Sequence, residues 1–458
     1  MKILFFVQHF YPSREVGAKR PSEMAGYFLA QGHSVDVLSA TEATPWNKRH
    51  QEMLAKARIT RVAVPPDLIA STWKAIKKVM RPAKGPGSAG GGGGATSDAH
   101  AFTETRDARQ VFFAKRWFFS MEALYCGLKV WAARCVPRAI SLLKNDHYDV
   151  VINSCPPMSS ALATLLARPF AKRKFFWVVD LRDPFIARPI VSNRSWLGNA
   201  LEHWAERECY RKCDLITVAS PGLGADVAAR HPDVAHKVHV VYNGFDGAQK
   251  QPAIAGKSAT GGDPNTVKLL FAGTMYLGRD PRPLCEAIGI AIARHGMPLD
   301  AIHLTLLGIF ESPTRGALQA WLDERQLSHA VTLLDAVSPQ EVDRFVDAAD
   351  VLINFAQSQK MMIPAKTYDY MASGKETITI TEEDSETANV TRKVRGGPVA
   401  PQDAEALALA LVDLYRRYIQ RREPFAPDVA AIAEFARQRQ SESMLAEIKA
   451  RTAARSRA

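Results

Sequence analysis

Residues 268–296 read KLLFAGTMYLGRDPRPLCEAIGIAIARHG: an apolar run, a loop holding two glycines, then apolar positions at helical spacing up to Gly296. A strand feeding a helix through a short loop is half of a parallel crossover, because a parallel neighbour can be reached only by a segment that packs back on the sheet. The alternation continues downstream with HLTLLG (303–308), VTLLDA (331–336), DVLINFA (350–356) and ETITIT (376–381), and with PQEVDRFVDAAD (339–350) reading as a helix.

Upstream the same grammar has already run once. ILFFVQ (3–8), SVDVLSA (34–40), ITRVAV (59–64), DVVINS (149–154), FFWVVDL (175–181), LITVAS (215–220) and VHVVYN (238–243) are short apolar runs separated by helical patterns. Between the two series lies GAQKQPAIAGKSATGGDPNT, rich in Gly, Pro and Ala and without periodicity, which reads as a linker. The expectation is an α/β protein of two doubly wound Rossmann-like domains, at 1–247 and 266–428, with a linker at 248–265 and a terminal amphipathic helix and tail at 429–458. A chain of 458 residues is long enough for two cores. Open α/β sheets bind ligands beyond the carboxyl ends of their strands, so the active site is expected in a cleft where the two domains face each other.

Composition narrows the function. Hydrophobic residues at 47% and charged ones at 23% exclude a disordered or fibrous chain. The opening MKILFFVQHFYPS has too short an apolar run for a signal peptide, and no apolar run spans a bilayer. An intracellular protein is expected. Six scattered cysteines form no disulfide framework, and Cys209 and Cys213 lack the histidine partners of a zinc site. The net charge of +12 sits in one half: residues 1–247 hold 34 Lys and Arg against 21 Asp and Glu, and the remainder is near neutral. That asymmetry suits an anionic partner or, equally, solvated helix faces. The glycine-rich stretch 85–107 reads as a flexible insert in the first domain. The basic, aromatic stretches on either side of it fit either interfacial helices on anionic lipid or helices packed on the sheet with snorkelling lysines.

Several chemistries are disfavoured. No GxxxxGK[ST] is present, so there is no P-loop. Gly222 and Gly224 have dinucleotide spacing, but Val227 stands where the third glycine belongs. No Asp-x-Asp ends a strand, so a metal-dependent transferase of that type is not expected, and none of the twelve histidines has metal-ligand spacing.

The loop after the first strand, with Gly17, allows close backbone approach to a phosphate, and a helix starting near Pro21 would favour an anion at its N-terminus. From here the resemblance is to a family: YPS…VGA…R…EMA followed by QGHSVDVLS, then NSCPPMSSALA, VVDLRDPF, VVYNGFD and LLFAGTMYLGRDPRPLCEAI are similar to the corresponding stretches of family 4 retaining glycosyltransferases. The similarity is to bacterial polysaccharide-building members and spans nearly the whole chain apart from the insert.

The resemblance implies the GT-B fold and the transfer of a sugar from a nucleoside-diphosphate donor to a membrane-associated or lipid-linked acceptor. It further implies anomeric retention and no metal or other cofactor. Gly17, Arg279 and Lys366 fall where the family neutralises the donor diphosphate, Thr367 on the same helix is expected among the donor-binding residues, and Asp369 falls on the acid that holds the ribose hydroxyls. Two cations on one pyrophosphate would offset the charge that develops on the leaving nucleotide. The family's other acid should stand eight positions before Asp369. Met361 is there instead, with Gln357, Gln359 and Lys360 nearby as alternative ligands for sugar hydroxyls.

Asp180, Arg182 and Asp183 end a strand on the expected cleft side and would either orient the acceptor, serve as a base, or tie the loop by ion pairs. His9 ends the first strand as either a substrate contact or a turn residue. A cytoplasmic enzyme, peripheral at the inner face of the cell membrane and without a nucleic-acid partner, is the resulting expectation. The alternatives are a non-catalytic membrane-docked scaffold on the same fold, for which Met361 is the motive, and a sugar-nucleotide epimerase.

Overall fold

The computed structural model describes residues 1–13, 16–41, 46–64, 127–156, 158–184, 196–250, 265–276 and 279–457. The insert at 85–107 and most of its aromatic flanks lie outside these. The chain divides into two compact units, Met1–Ile216 and Thr217–Ala458.

The first sheet has seven strands: β1 (Lys2–Phe6), β2 (Ser34–Ala40), β3 (Arg58–Val62), β4 (Val150–Cys155), β5 (Phe176–Leu181), β6 (Leu215–Val218) and β7 (Val238–Val240), with β6 straddling the unit boundary. Their order is β3-β2-β1-β4-β5-β6-β7. The second sheet holds β8 (Val267–Met275), β9 (Ile302–Phe310), β10 (Val331–Asp335), β11 (Val351–Phe355), β12 (Glu376–Ile380) and β13 (Val399–Ala400), ordered β10-β9-β8-β11-β12-β13. Both orders reverse direction beside their first strand, between β1 and β4 and between β8 and β11. That crevice is where doubly wound sheets take their ligands.

Burial explains the uninterrupted apolar strands. Every residue of β4, β5 and β11 is buried, which requires helices on both faces. In the second sheet one face packs Leu269, Phe271, Leu304 and Leu306 against the helices Arg282–His295 and Ala404–Tyr415. The other face packs Leu270, Ala272, Leu307 and Leu352 against Tyr370 and the helix Pro339–Ala348. Gly296 closes the first of these helices at φ 65°, a left-handed cap that glycine adopts without strain.

All the apolar runs read as strands are strands, and β13 is additional: two residues in GGPVA carry too little pattern to be seen. The helix expected near Pro21 begins earlier, at Val16, and Pro21 lies inside it. Its first turn is held from outside the helix, since Arg20 is buried in an ion pair with Asp180 of β5. The terminal helix is two pieces, Val429–Glu434 and Arg437–Arg457, with Phe435 between them buried against Phe245, Tyr242 and Tyr368. Of the stretches flanking the insert, residues 127–135 are described. They begin the helix Gly127–Asn145, whose Trp131 is fully buried, stacks edge-on with Phe6 and donates to the Val62 carbonyl. This part is a helix packed on its sheet. No helix among the described residues is long and apolar enough to cross a membrane.

Candidate functional site

The second unit gathers its expected residues at the carboxyl ends of β8 and β11. Gly273 of β8 and Gly308 of β9 are register partners. Gly308 has φ 147°, and a side chain there would place Cβ 1.7 Å from the Gly273 carbonyl oxygen. The glycine pair therefore draws the two strands together, and the chain beyond β8 turns over their ends. At Gly273 a Cβ would also stand 3.2 Å from Cε of Lys366, so its bare face is the seat of the lysine stem.

Lys366 lies in the first turn of the helix Ala365–Ala372, which no side chain caps. Its ammonium donates to the Ala272 carbonyl, which also lies within reach of the Tyr370 hydroxyl. Burial, reinforced by the nearby Arg279 charge and opposed by Asp369, lowers its pKa to about 8. Arg279 stacks 4.5 Å from the Tyr276 ring centroid, and the Tyr276 hydroxyl is in turn held by Gln359 Nε2 at 2.8 Å. Burial lowers the Arg279 pKa as well, and its Nε is buried without an acceptor. Two half-desolvated cations are thus held close enough for one to depress the other. A fold bears that cost where an anion is to be met.

Asp369 is exposed one turn along the helix from Lys366, so a group on the ammonium is within reach of the carboxylate side of the same face. Thr367 points the other way: it is buried, and its hydroxyl accepts from Asn354 Nδ2 at 3.0 Å, which pins the helix to β11. The structure brings Arg279, Lys366 and Asp369 together and puts Thr367 behind them.

At the position of the missing acid, Met361 is half-buried. Lys360 pairs with Asp384 at 2.9 Å, and Gln359 is taken by Tyr276. Gln357 differs from both: it is only 5% exposed, yet neither atom of its amide is hydrogen-bonded among the described residues. Tyr276 and Tyr370 were not singled out from the sequence. Their signal was an aromatic three residues before the loop arginine and another one helical turn past the lysine.

In the first unit Asp180 is buried at 1% exposure, bound by the Arg20 guanidinium at 2.6 and 2.9 Å and by Ser154 Oγ at 3.1 Å. Its carboxylate is engaged inside the fold. Arg182, Gly17 and His9 converge: a Cβ on Gly17 would stand 2.1 Å from Arg182 Nη1, and the Arg182 charge, after burial, lowers the His9 pKa to about 4. Asp183 follows half-buried and favours the Arg182 charge. Among the described residues no group of three His, Cys, Asp or Glu could hold a metal ion.

Two parallel sheets in Rossmann order make a two-domain Rossmann-like α/β fold, the architecture of the GT-B class. Residues 100–249 match the model of Glycosyltransferase Family 4 and residues 266–417 that of Glycosyl transferases group 1. Together the matches take in about two thirds of the chain, and they support a family 4 glycosyltransferase using a nucleotide-sugar donor. No curated protein matches the sequence.

Solved structures resemble it at the level of the fold. Anabaena HepE, solved with UDP and glucose, is 14% identical with a TM-score of 0.60, covering 98% of this chain and 100% of its own. Thermosynechococcus elongatus sucrose-phosphate synthase is 14% identical with a TM-score of 0.59, covering 99% and 100%. Burkholderia multivorans trehalose 6-phosphate synthase is 12% identical with a TM-score of 0.57, covering 100% and 98%.

Proposed function

We propose that the chain transfers a hexosyl or related sugar from a nucleoside-diphosphate donor, held by the second unit, to a lipid-linked or other membrane-associated acceptor in cell-surface polysaccharide synthesis. The observation that carries this reading is the Lys366–Arg279 pair. Both cations are partly desolvated, at the open end of a helix and at a switch point, with no carboxylate among the described residues hydrogen-bonded to Lys366. A diphosphate there gains charge-assisted bonds and the helix N-terminus together. The HepE complex with UDP and glucose supports a donor of this kind.

Asp369 would accept from the ribose hydroxyls. Gln357, with both amide atoms available, would read the sugar hydroxyls in place of the acid missing at Met361. The cations stabilise the leaving diphosphate and take over the part a metal plays elsewhere. In this reading the anomeric configuration is retained, and the departing phosphate can itself accept the acceptor proton. Work at the inner face of the membrane suits the basic first half of the chain.

The test is incubation of the purified chain with labelled UDP-, GDP- and ADP-sugars and membrane lipid extract. The expected result is label in lipid, with loss of transfer in Lys366→Ala. An inverted product would remove retention. Absence of both nucleotide binding and transfer would favour a scaffold.

A further inference from the structure

The first unit holds a second cationic site, beside β1 and β4, and apart from Gly17, which the family resemblance gives to the donor diphosphate, the donor chemistry above does not use it. Arg182 leaves the end of β5 half-buried, its Nη2 donating to the Pro156 carbonyl and its main-chain N–H to the Cys155 carbonyl at 2.8 Å. Gly17 lies flat against one side of the guanidinium.

Arg182 Nε and His9 Nδ1 are buried with no hydrogen-bond partner among the described residues, as are Ser159 Oγ at the start of the helix that follows β4 and Gln8 Oε1 next to His9 in the chain. Gln8 is 4% exposed and Ser159 8%. Ser159 opens the helix Ser159–Ala167, directly after the Cys155–Pro156 carbonyls that Arg182 grips, and no side chain caps that helix. Folded proteins pair nearly all such buried groups, so the unpaired Arg182 Nε donor and the unpaired His9 ring nitrogen in its field mark a place open to a ligand. The imidazole of His9 stays neutral at pH 7 and can donate from one ring nitrogen without adding charge.

We infer that Arg182, His9 and the N-terminus of the helix Ser159–Ala167 form an oxyanion-binding site, and that it receives a phosphate or carboxylate carried by the acceptor. The planar fork of arginine binds such groups through two parallel bonds, and a helix N-terminus adds main-chain N–H donors. Gly17 is glycine here because any side chain would occupy the place of Nη1. The acceptor part of the inference rests on the transferase reading; the oxyanion site does not.

Inorganic phosphate is the probe. Titrated into the full chain by calorimetry, it should bind the wild type and the Lys366→Ala variant alike, and bind Arg182→Gln roughly tenfold or more weakly. Arg182→Gln should leave nucleoside-diphosphate binding unchanged, and in the transfer assay phosphate should compete with acceptor and not with donor. Should Arg182→Gln fail to fold, Arg182→Lys keeps the charge without the fork and should still weaken phosphate binding.

If Arg182→Gln weakens nucleotide binding as much as phosphate binding, the site holds the donor phosphate and the inference is overturned. Phosphate binding that is independent of Arg182, or absent, overturns it too. Arg182-dependent phosphate binding in a chain that binds no nucleotide would sustain the oxyanion site and reject the transferase reading instead.

Discussion

Lys366 ties donor binding to pH in a way that can be calculated. With a pKa of about 8 in the free protein, the ammonium is about nine-tenths protonated at pH 7 and about one-tenth at pH 9. A bound diphosphate holds the charged form and lifts this pKa back towards the ordinary lysine value. The donor therefore selects protonated protein, and affinity must fall as pH rises. Linkage gives a dissociation constant about tenfold higher at pH 9 than at pH 7, with uptake of close to one proton per donor bound at pH 9. The phosphates of a nucleotide sugar are ionised throughout this window and add no slope.

Titration calorimetry in buffers of differing ionisation enthalpy measures both quantities. Lys366→Met should abolish the slope and the proton uptake, and weaken binding at pH 7 by about 1.5–3 kcal/mol, the worth of a hydrogen bond to a charged group. Lys366→Arg should keep binding at pH 7 without the slope. The same residue acts oppositely on stability. Its pKa is lowered by folding, so the unfolded chain binds more protons between about pH 8 and the ordinary lysine value, and stability rises with pH there. Below pH 8 the unliganded fold carries the cost in full, and Lys366→Met should be about 1–2 kcal/mol more stable at pH 7, less than the full shift implies because the group is partly exposed. A wild type with no proton uptake, or a methionine variant with an unchanged slope, would refute the assignment of Lys366 to the diphosphate.

Three further outcomes follow from the packing. Gly308→Ala should destabilise the second unit by about 3 kcal/mol or more in urea unfolding, because its Cβ meets the Gly273 carbonyl. Arg20→Met should cost about 3–5 kcal/mol by taking the guanidinium from the buried Asp180 carboxylate, and Arg20→Met combined with Asp180→Leu should recover most of the loss. Thr367→Val should lower stability by about 1–3 kcal/mol through the orphaned Asn354 amide while leaving nucleotide affinity within about twofold.

Sequence patterning was enough for the central strands because β4, β5, β11 and β12 are buried on both faces and flanked by loops, so burial writes an unbroken apolar run such as FFWVVDL or DVLINFA. It failed where the controlling contact is distant in sequence. Val16 begins a helix because Arg20, one turn on, reaches Asp180, and local propensity at Pro21 cannot report that bond. The same distance hid the tyrosines beside the site. Spacing put Lys366 and Asp369 on one helical face, but it could not say that Thr367, between them, turns inward to Asn354. Gln8 and His9, Ser159, and Arg182 come from three separate segments of the chain, which the β1–β4–β5 order sets side by side.

The central claim is that the second unit binds a nucleoside diphosphate through Lys366, Arg279 and Asp369. Calorimetric titration of UDP, GDP and ADP into the wild-type chain and into Asp369→Ala tests it most directly. The account predicts one nucleotide binding with a single site per chain, and a loss of roughly tenfold or more when Asp369 is removed. Equal affinity in the two proteins, or no binding by any of the three, would contradict it.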